Sequence, residues 1–236
     1  MPNPSPPPHP CGNCSFYTDS IWQPVSSGAM STLSRGFTRQ DLSAGQPLYH
    51  QDDDNRGVYC VSKGLIALRT HHMDGSSTLL RLAYPGEIIG FRSFLEFRPH
   101  RTEARALLTS RVCTVAQRDA QQVVQTNPSV LTRLASRCIT EIDRNHDRII
   151  AAAKTPNKLR LVGILQRLMT AHGTQIDNHL RMHLPLSRTD LADLLGVQTE
   201  TVSRLLKRIQ QDGTFQVSGR EFQMPLPPPT RPAATG

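Results

Sequence analysis

No stretch of this 236-residue chain approaches the ~18 consecutive apolar residues of a spanning helix. The first ten residues, MPNPSPPPHP, have neither the apolar centre nor the cleavage pattern of a secretory signal. These absences predict a cytoplasmic protein with no membrane partner. Enzyme signatures are also missing: the text holds no Ser-His-Asp or H-E-x-x-H arrangement and no glycine-rich phosphate loop. Acidic residues are outnumbered, 19 against 27 Lys and Arg, which leaves +8 and a pI near 9.7. That balance favours nucleic acid as a partner. Cysteines are few and scattered, and five in such a chain do not form a disulfide framework. Only Cys11 and Cys14 lie close together. A two-residue gap lets two sulfurs face one metal or cluster, although unrelated surface thiols leave the same text.

What is present begins with composition: 37% hydrophobic residues, enough for a globular middle. Residues 1–10 and 224–236 are proline-rich and read as disordered tails. From about 45 to 118 the text reads as short strands between turns. Val58–Val61 is β-rich, and Leu65–Thr70 and Ser77–Ala83 flank Asp74-Gly75, a pair that permits a hairpin. Glu103–Leu108 and Arg111–Val115 supply two more strands, so the segment predicts a compact β-barrel or roll.

The period then changes. Pro128 opens a long helix whose Leu131, Leu134, Cys138, Ile142, Asn145, Ile149 and Ala152 recur at steps of three or four. A narrow apolar stripe flanked by charges fits a dimer seam better than a helix packed on its own domain. Asn145 within it can fix register. Cys60 and Cys138, in a strand pattern and a helix stripe, read as small buried hydrophobes. Lys154-Thr155-Pro156 ends the helix, and Lys158–Ala171 forms another, stopped by His172-Gly173.

Residues 186–213, LSRTDLADLLGVQTETVSRLLKRIQQDG, have the grammar of a helix-turn-helix. Ser187 and Asp190 resemble a capping box, Gly196 makes the turn, and Val202, Leu205, Leu206 and Ile209 are spaced to face inward. Glu200, Ser203 and Arg204 then share the outer face of the second helix, beside Thr199 and Thr201. Arg204 can donate twice to guanine, Glu200 can accept from cytosine, and Ser203 can meet a base or a thymine methyl. Lys207 and Arg208 can hold phosphates. The bland alternative is a Glu–Arg pair that only stabilises the helix. Residues 214–223 read as the two strands of a wing.

This order of β-roll, long helix and winged helix-turn-helix resembles the CRP/FNR superfamily of bacterial transcription regulators over about residues 28–223. Glu200–Arg204, ETVSR, resembles the E-x-x-S-R recognition pattern of the FNR branch, with Thr199 where the cyclic-AMP receptor branch has its first arginine. The resemblance implies an α+β protein: a 1–27 tail carrying sensor cysteines and a cyclic-nucleotide-binding-like roll at 28–124. A dimerisation helix at 125–153, a winged helix-turn-helix at 154–223 and a tail at 224–236 complete it. It implies a homodimer that reads TTGAT-like inverted repeats in double-stranded DNA, contacts RNA polymerase and activates genes at low oxygen.

The branch also holds an oxygen-labile [4Fe–4S] cluster on a C-x2-C-x5-C segment and one cysteine of the roll. Cys11 and Cys14 resemble the first pair and Cys113 the roll cysteine, while Ser20 stands at the third position. The fourth ligand is therefore open among Ser20, Asp19, His9 and Cys60, or the cluster has been abandoned. Asn145 stands where the branch has an aspartate, which removes a like-charge cost from the dimer. Two other signals stay open: a cyclic nucleotide, from the faint likeness of Gly86-Glu87 and Arg101-Thr102 to that cassette, and haem or NO. For haem, His71, His72 and His100 are available, each read as an exposed turn residue.

Overall fold

Val58, Val61, Ile66, Leu68, Leu79, Val112 and Val115 carry strand-like apolar residues inward, and their burial closes a roll. The computed structural model describes residues 9–226. The chain divides into two compact units between Ile149 and Ile150.

In the first unit, α1 (Ser27–Gly36) precedes β1 (Phe37–Leu42), β2 (Pro47–Tyr49), β3 (Gly57–Lys63), β4 (Ile66–His71), β5 (Ser77–Ala83) and β6 (Ile88–Ile89). Then follow α2 (Phe91–Glu96), β7 (Glu103–Ala106), β8 (Ser110–Ala116), α3 (Gln117–Thr126) and α4 (Pro128–Lys154), which runs across the division. Two four-stranded antiparallel sheets result, ordered β1-β8-β3-β6 and β2-β7-β4-β5. The hairpin at Asp74-Gly75 forms, with the Asp74 carboxylate accepting from the Ser76 amide at 2.9 Å. One apolar core lies between the sheets, around Val61, Ile66, Ala104 and Val112. A second lies where Leu33, Phe91, Val123 and Leu134 meet the roll.

The segment before α1 differs from the expected tail. Residues 9–23 form successive tight turns, with the amides of Gly12, Cys14, Tyr17, Ser20 and Gln23 each bonded to the carbonyl three residues back. Ile21 and Trp22 are buried in the second core, so two large apolar side chains anchor the segment that carries Cys11 and Cys14; of the stretch 1–10 read as disordered, only His9 and Pro10 are described. Residues 1–8 and 227–236 of the two expected tails lie outside the described residues. At the other end, Met224 and Pro225 belong to a strand, not to a tail; Met224 is buried.

The long helix also corrects the proposed seam. Leu134 is fully buried in the core of its own unit and so is not available to a partner, while Cys138 is half-buried against that core. Further along, Ile139, Ile142 (52% exposed), Ile149 (67%) and Ile150 stand outside any core, as does Leu131. Asn145 is exposed among them.

The second unit holds α5 (Asn157–His172), β9 (Thr174–Ile176), β10 (His179–His183), α6 (Arg188–Leu195), α7 (Thr199–Gln211), β11 (Gln216–Ser218) and β12 (Glu221–Pro225). Its sheet runs β11-β12-β10-β9, so the wing hairpin pairs with a strand that precedes the helix-turn-helix. The capping box is complete: the Asp190 amide donates to Ser187 Oγ at 3.0 Å and the Ser187 amide to Asp190 Oδ2 at 2.7 Å. Ser187→Ala is expected to cost this unit about 1 kcal/mol, read as a lower urea midpoint with unchanged slope.

Candidate functional site

The outer face of α7 is set by what lies beneath it. Val202, Leu205, Leu206 and Ile209 are buried against α6 and α5, so the remaining positions must point outward. Gly196, at φ +67°, makes the turn between α6 and α7, a conformation that side chains with a Cβ rarely adopt. Glu200, Arg204, Lys207 and Arg208 are exposed, and Thr199, Thr201 and Ser203 half-buried. Glu200 and Arg204 do not pair with each other or with any other charge among the described residues. The purely stabilising Glu–Arg pair is therefore not formed. Ser203 is more constrained than its sequence position suggests. Its hydroxyl donates to the Thr199 carbonyl at 3.2 Å and accepts from Arg188 Nη1 at 3.2 Å. Arg188, the first residue of α6, was not among the expected DNA contacts. It reaches the recognition face through this contact with Ser203.

A second constellation lies in the first unit. The turns at 9–23, β1, β3 and β8 surround a cavity with about 460 Å³ free of protein atoms, part of it open to solvent. Cys11, Cys14, Cys60 and Cys113 all line it, with Ser20, Asp19 and the apolar Phe16, Ile21, Trp22, Phe37, Ile88 and Val115. Cys60 and Cys113 are direct cross-strand partners in the β3–β8 ladder, so their side chains share one face. Burial pushes the Cys11 thiol up to about 11, with the Cys113 and Cys14 sulfurs adding to it and a hydrogen bond from Ser20 opposing it. Burial likewise pushes Cys60 up to about 12, reinforced by Cys113, Cys11 and Cys14. Thiols so crowded ionise only when a cationic centre compensates them. Among the described residues no group of three His, Cys, Asp or Glu side chains is spaced to hold a single metal ion.

Cys138, the fifth cysteine, does not line this cavity. His9 also stands apart from it. Its Nδ1 accepts from the Cys11 amide at 3.0 Å while Nε2 meets the Trp22 carbonyl at 3.1 Å, so both ring nitrogens are occupied in shaping the turns. The segment is tied to α4 by arginine. Arg133 donates to the carbonyls of Ile21 (2.8 Å) and Pro24 (3.1 Å), and Arg137 to that of Asp19 (2.9 Å).

The residues of the rival signals are engaged otherwise. Both Glu87 carboxylate oxygens accept from arginine, Oε2 from Arg81 at 2.9 Å and Oε1 from Arg144 at 3.1 Å. Phe16 packs over Gly86 so closely that a Cβ there would lie 2.7 Å from its ring. Arg101 is exposed. His71 and His50 face the buried Glu103, at 3.6 and 3.2 Å, and His72 meets the Thr78 hydroxyl at 2.9 Å. His100, expected in an exposed turn, is instead 1% exposed and stacked on Tyr49 at 3.6 Å.

A β-roll, a long helix with unsatisfied apolar side chains and a winged helix-turn-helix with an open polar face together define a DNA-binding transcription regulator. Residues 39–127 match the cyclic nucleotide-binding domain family and residues 159–225 the Crp-like helix-turn-helix domain family. The chain belongs to the CRP/FNR family of transcription regulators, which are not enzymes. It is 26% identical to the nitrogen fixation regulation protein FixK of Bradyrhizobium diazoefficiens over 213 residues, 89% of this chain and 87% of that one. It is 25% identical to the fumarate and nitrate reduction regulatory protein of Vibrio cholerae, covering 89% and 84%. Among solved structures, FixK2 from Bradyrhizobium japonicum superposes with a TM-score of 0.65 at 23% identity, over 80% of this chain and 92% of that chain. Among the described residues no helix is long and apolar enough to cross a membrane.

Proposed function

We propose that this regulator reads TTGAT-like inverted repeats as a homodimer and activates genes at low oxygen, with a [4Fe–4S] cluster as its signal-bearing group. The observation that carries the reading is the outward face of α7. There Glu200, Ser203 and Arg204 offer the acceptor and donor set suited to cytosine and guanine edges, with Arg204 unpaired. Lys207, Arg208 and the newly placed Arg188 would position the protein on phosphates. The relatives named for nitrogen fixation and for fumarate and nitrate reduction support the low-oxygen setting.

The cysteine-lined cavity fits the chemistry of a thiolate-held cluster, and Cys11, Cys14 and Cys113 would supply three of its ligands. Bound there, such a group contributes sensitivity to oxygen and oxidation. The chain's own residues do the rest. The turns at 9–23 shape the ligand segment, and the aromatic wall of Phe16, Trp22 and Phe37 limits water. Arg133 and Arg137 connect the segment to α4, the element carrying Ile142, Asn145 and Ile149 towards a second copy. Contact between the dimer and RNA polymerase would complete activation.

A gel shift without air tests the reading: an inverted TTGAT repeat should be retarded at concentrations where a scrambled duplex is not. Equal retardation of both would reject it. The dimer is tested separately. Ile149→Ala removes exposed apolar surface from both copies and should weaken self-association about tenfold, ~1.4 kcal/mol, in sedimentation. Because Asn145 adds no like-charge repulsion, cluster-free protein should also dimerise. A strict monomer at micromolar concentration would overturn that.

A further inference from the structure

The fourth position of the cysteine site is not where the C-x2-C-x5-C spacing would put it. We infer that Cys60 is the fourth cluster ligand of this chain, and that Ser20 is a positioning residue acting on Cys11. The inference rests on the cluster reading above and identifies the ligand set of that same site.

Three observations converge. First, Cys60 lines the same cavity as Cys11, Cys14 and Cys113, although it lies 46 positions after Cys14 and 53 before Cys113 in sequence. The β3–β8 register sets Cys60 directly opposite Cys113, so both sulfurs project from one face of the sheet towards the turn that carries the other two. The site thus has two thiols from a turn and two from a sheet, without any need for an oxygen ligand. Second, Ser20 is already committed. Its hydroxyl oxygen accepts from the Trp22 amide at 3.3 Å and its hydrogen bond meets the Cys11 sulfur. A group with both roles filled shapes the segment and steadies a ligand. Third, thiolates are the usual ligands of an iron–sulfur cluster, and the four sulfurs lining this cavity supply a complete set. Bound to iron, each of the four cysteines would be a thiolate, its proton released to solvent.

The test is anaerobic reconstitution of the full chain with ferrous iron and sulfide, followed by iron and acid-labile sulfide analysis and the visible spectrum. The parent should hold about four of each per protomer. Cys60→Ala should lose most of both and Cys138→Ala should retain them, while Ser20→Ala should load but release its iron faster than the parent, because Cys11 has lost its hydrogen bond. Adding Ser20→Cys to Cys60→Ala should restore loading, because it returns a thiol to the turn; this recovery also shows that the single variant had not simply misfolded. Cys60→Ser, which keeps the volume, gives the same reading if the alanine variant melts early. Full loading of Cys60→Ala, or equal losses in Ser20→Ala and Cys60→Ala, would overturn the inference while leaving the cluster reading intact. A parent that takes up no iron and sulfide, or takes up only zinc, would overturn the cluster reading itself.

Discussion

Arg204→Ala should weaken binding to a TTGAT-type inverted repeat by several hundredfold and leave binding to unrelated DNA almost unchanged. A bidentate arginine–guanine contact is worth ~1–3 kcal/mol of discrimination, and a symmetric dimer loses it in both half-sites. At about 1.4 kcal/mol per factor of ten, two losses near the middle of that range give a factor of several hundred. Fold stability should stay within about 0.5 kcal/mol, because Arg204 is exposed and holds no ion pair among the described residues. Lys207→Ala should behave differently. It should weaken specific and unrelated duplexes alike and reduce the salt slope by about one. Titrations of both variants against both duplexes separate base reading from charge. An Arg204→Ala protein that still prefers the repeat would reject the assigned face.

The recognition helix and the cysteine site differ in how far the sequence reveals them. The recognition helix is legible because every signal for it is local. Ser187 and Asp190 cap one helix, Gly196 turns the chain, and the inward residues of α7 recur at its own period. Side-chain direction then follows from backbone geometry alone. Arg188 was missed because its contact with Ser203 depends on how two helices cross, which no period encodes. The seam on α4 shows the same limit. Spacing identifies an apolar stripe but not what covers it. Leu134 turned out to serve its own core, while Ile142 and Ile149 were left outside. The physical reason is that α1, α2 and α3, short helices not foreseen in the sequence, pack beside the roll and share its core with Val130 and Leu134.

Cys60 is the residue on which the sequence leaves the choice open. The resemblance admits it as one of four candidates for a fourth ligand, while within GVYCVSK it is one more small side chain in a strand. Its meaning comes from register. A slip of one residue between β3 and β8 would turn it away from Cys113 and from the cavity. The N-terminal turns had the opposite fault. Their proline-rich neighbourhood hid Ile21 and Trp22, whose burial fixes Cys11 and Cys14 against the sheet. Sequence spacing therefore pointed to Ser20, and tertiary placement points past it.

The buried histidine supplies a second large effect, this time on stability. His100 stacks on Tyr49 at an interplanar angle of 11°, and its Nε2 has no hydrogen-bond partner among the described residues. Burial lowers its pKa from 6.5 to about 4, with Asp53 opposing weakly; Tyr59 is the other ionisable ring against it. The unfolded chain therefore binds a proton between about pH 6.5 and 4 that the folded chain refuses, and stability must fall as pH falls through that window. At 1.36 kcal/mol per unit the loss reaches about 3 kcal/mol by pH 4. Glu103 adds to the fall only at the acid end. The Arg105 hydrogen bond lowers its carboxyl from the ordinary 4.5, so the unfolded chain takes up that proton first and this stabilisation is lost as pH falls from about 4.5 downward. His100→Phe keeps a ring on Tyr49 and removes the titration. Urea midpoints measured from pH 7 to 4 should therefore decline less steeply in the variant, the gap between the two curves opening below pH 6.5 and flattening near 4. Parallel curves would show that His100 accepts its proton without unfolding and that the stack does not hold it neutral.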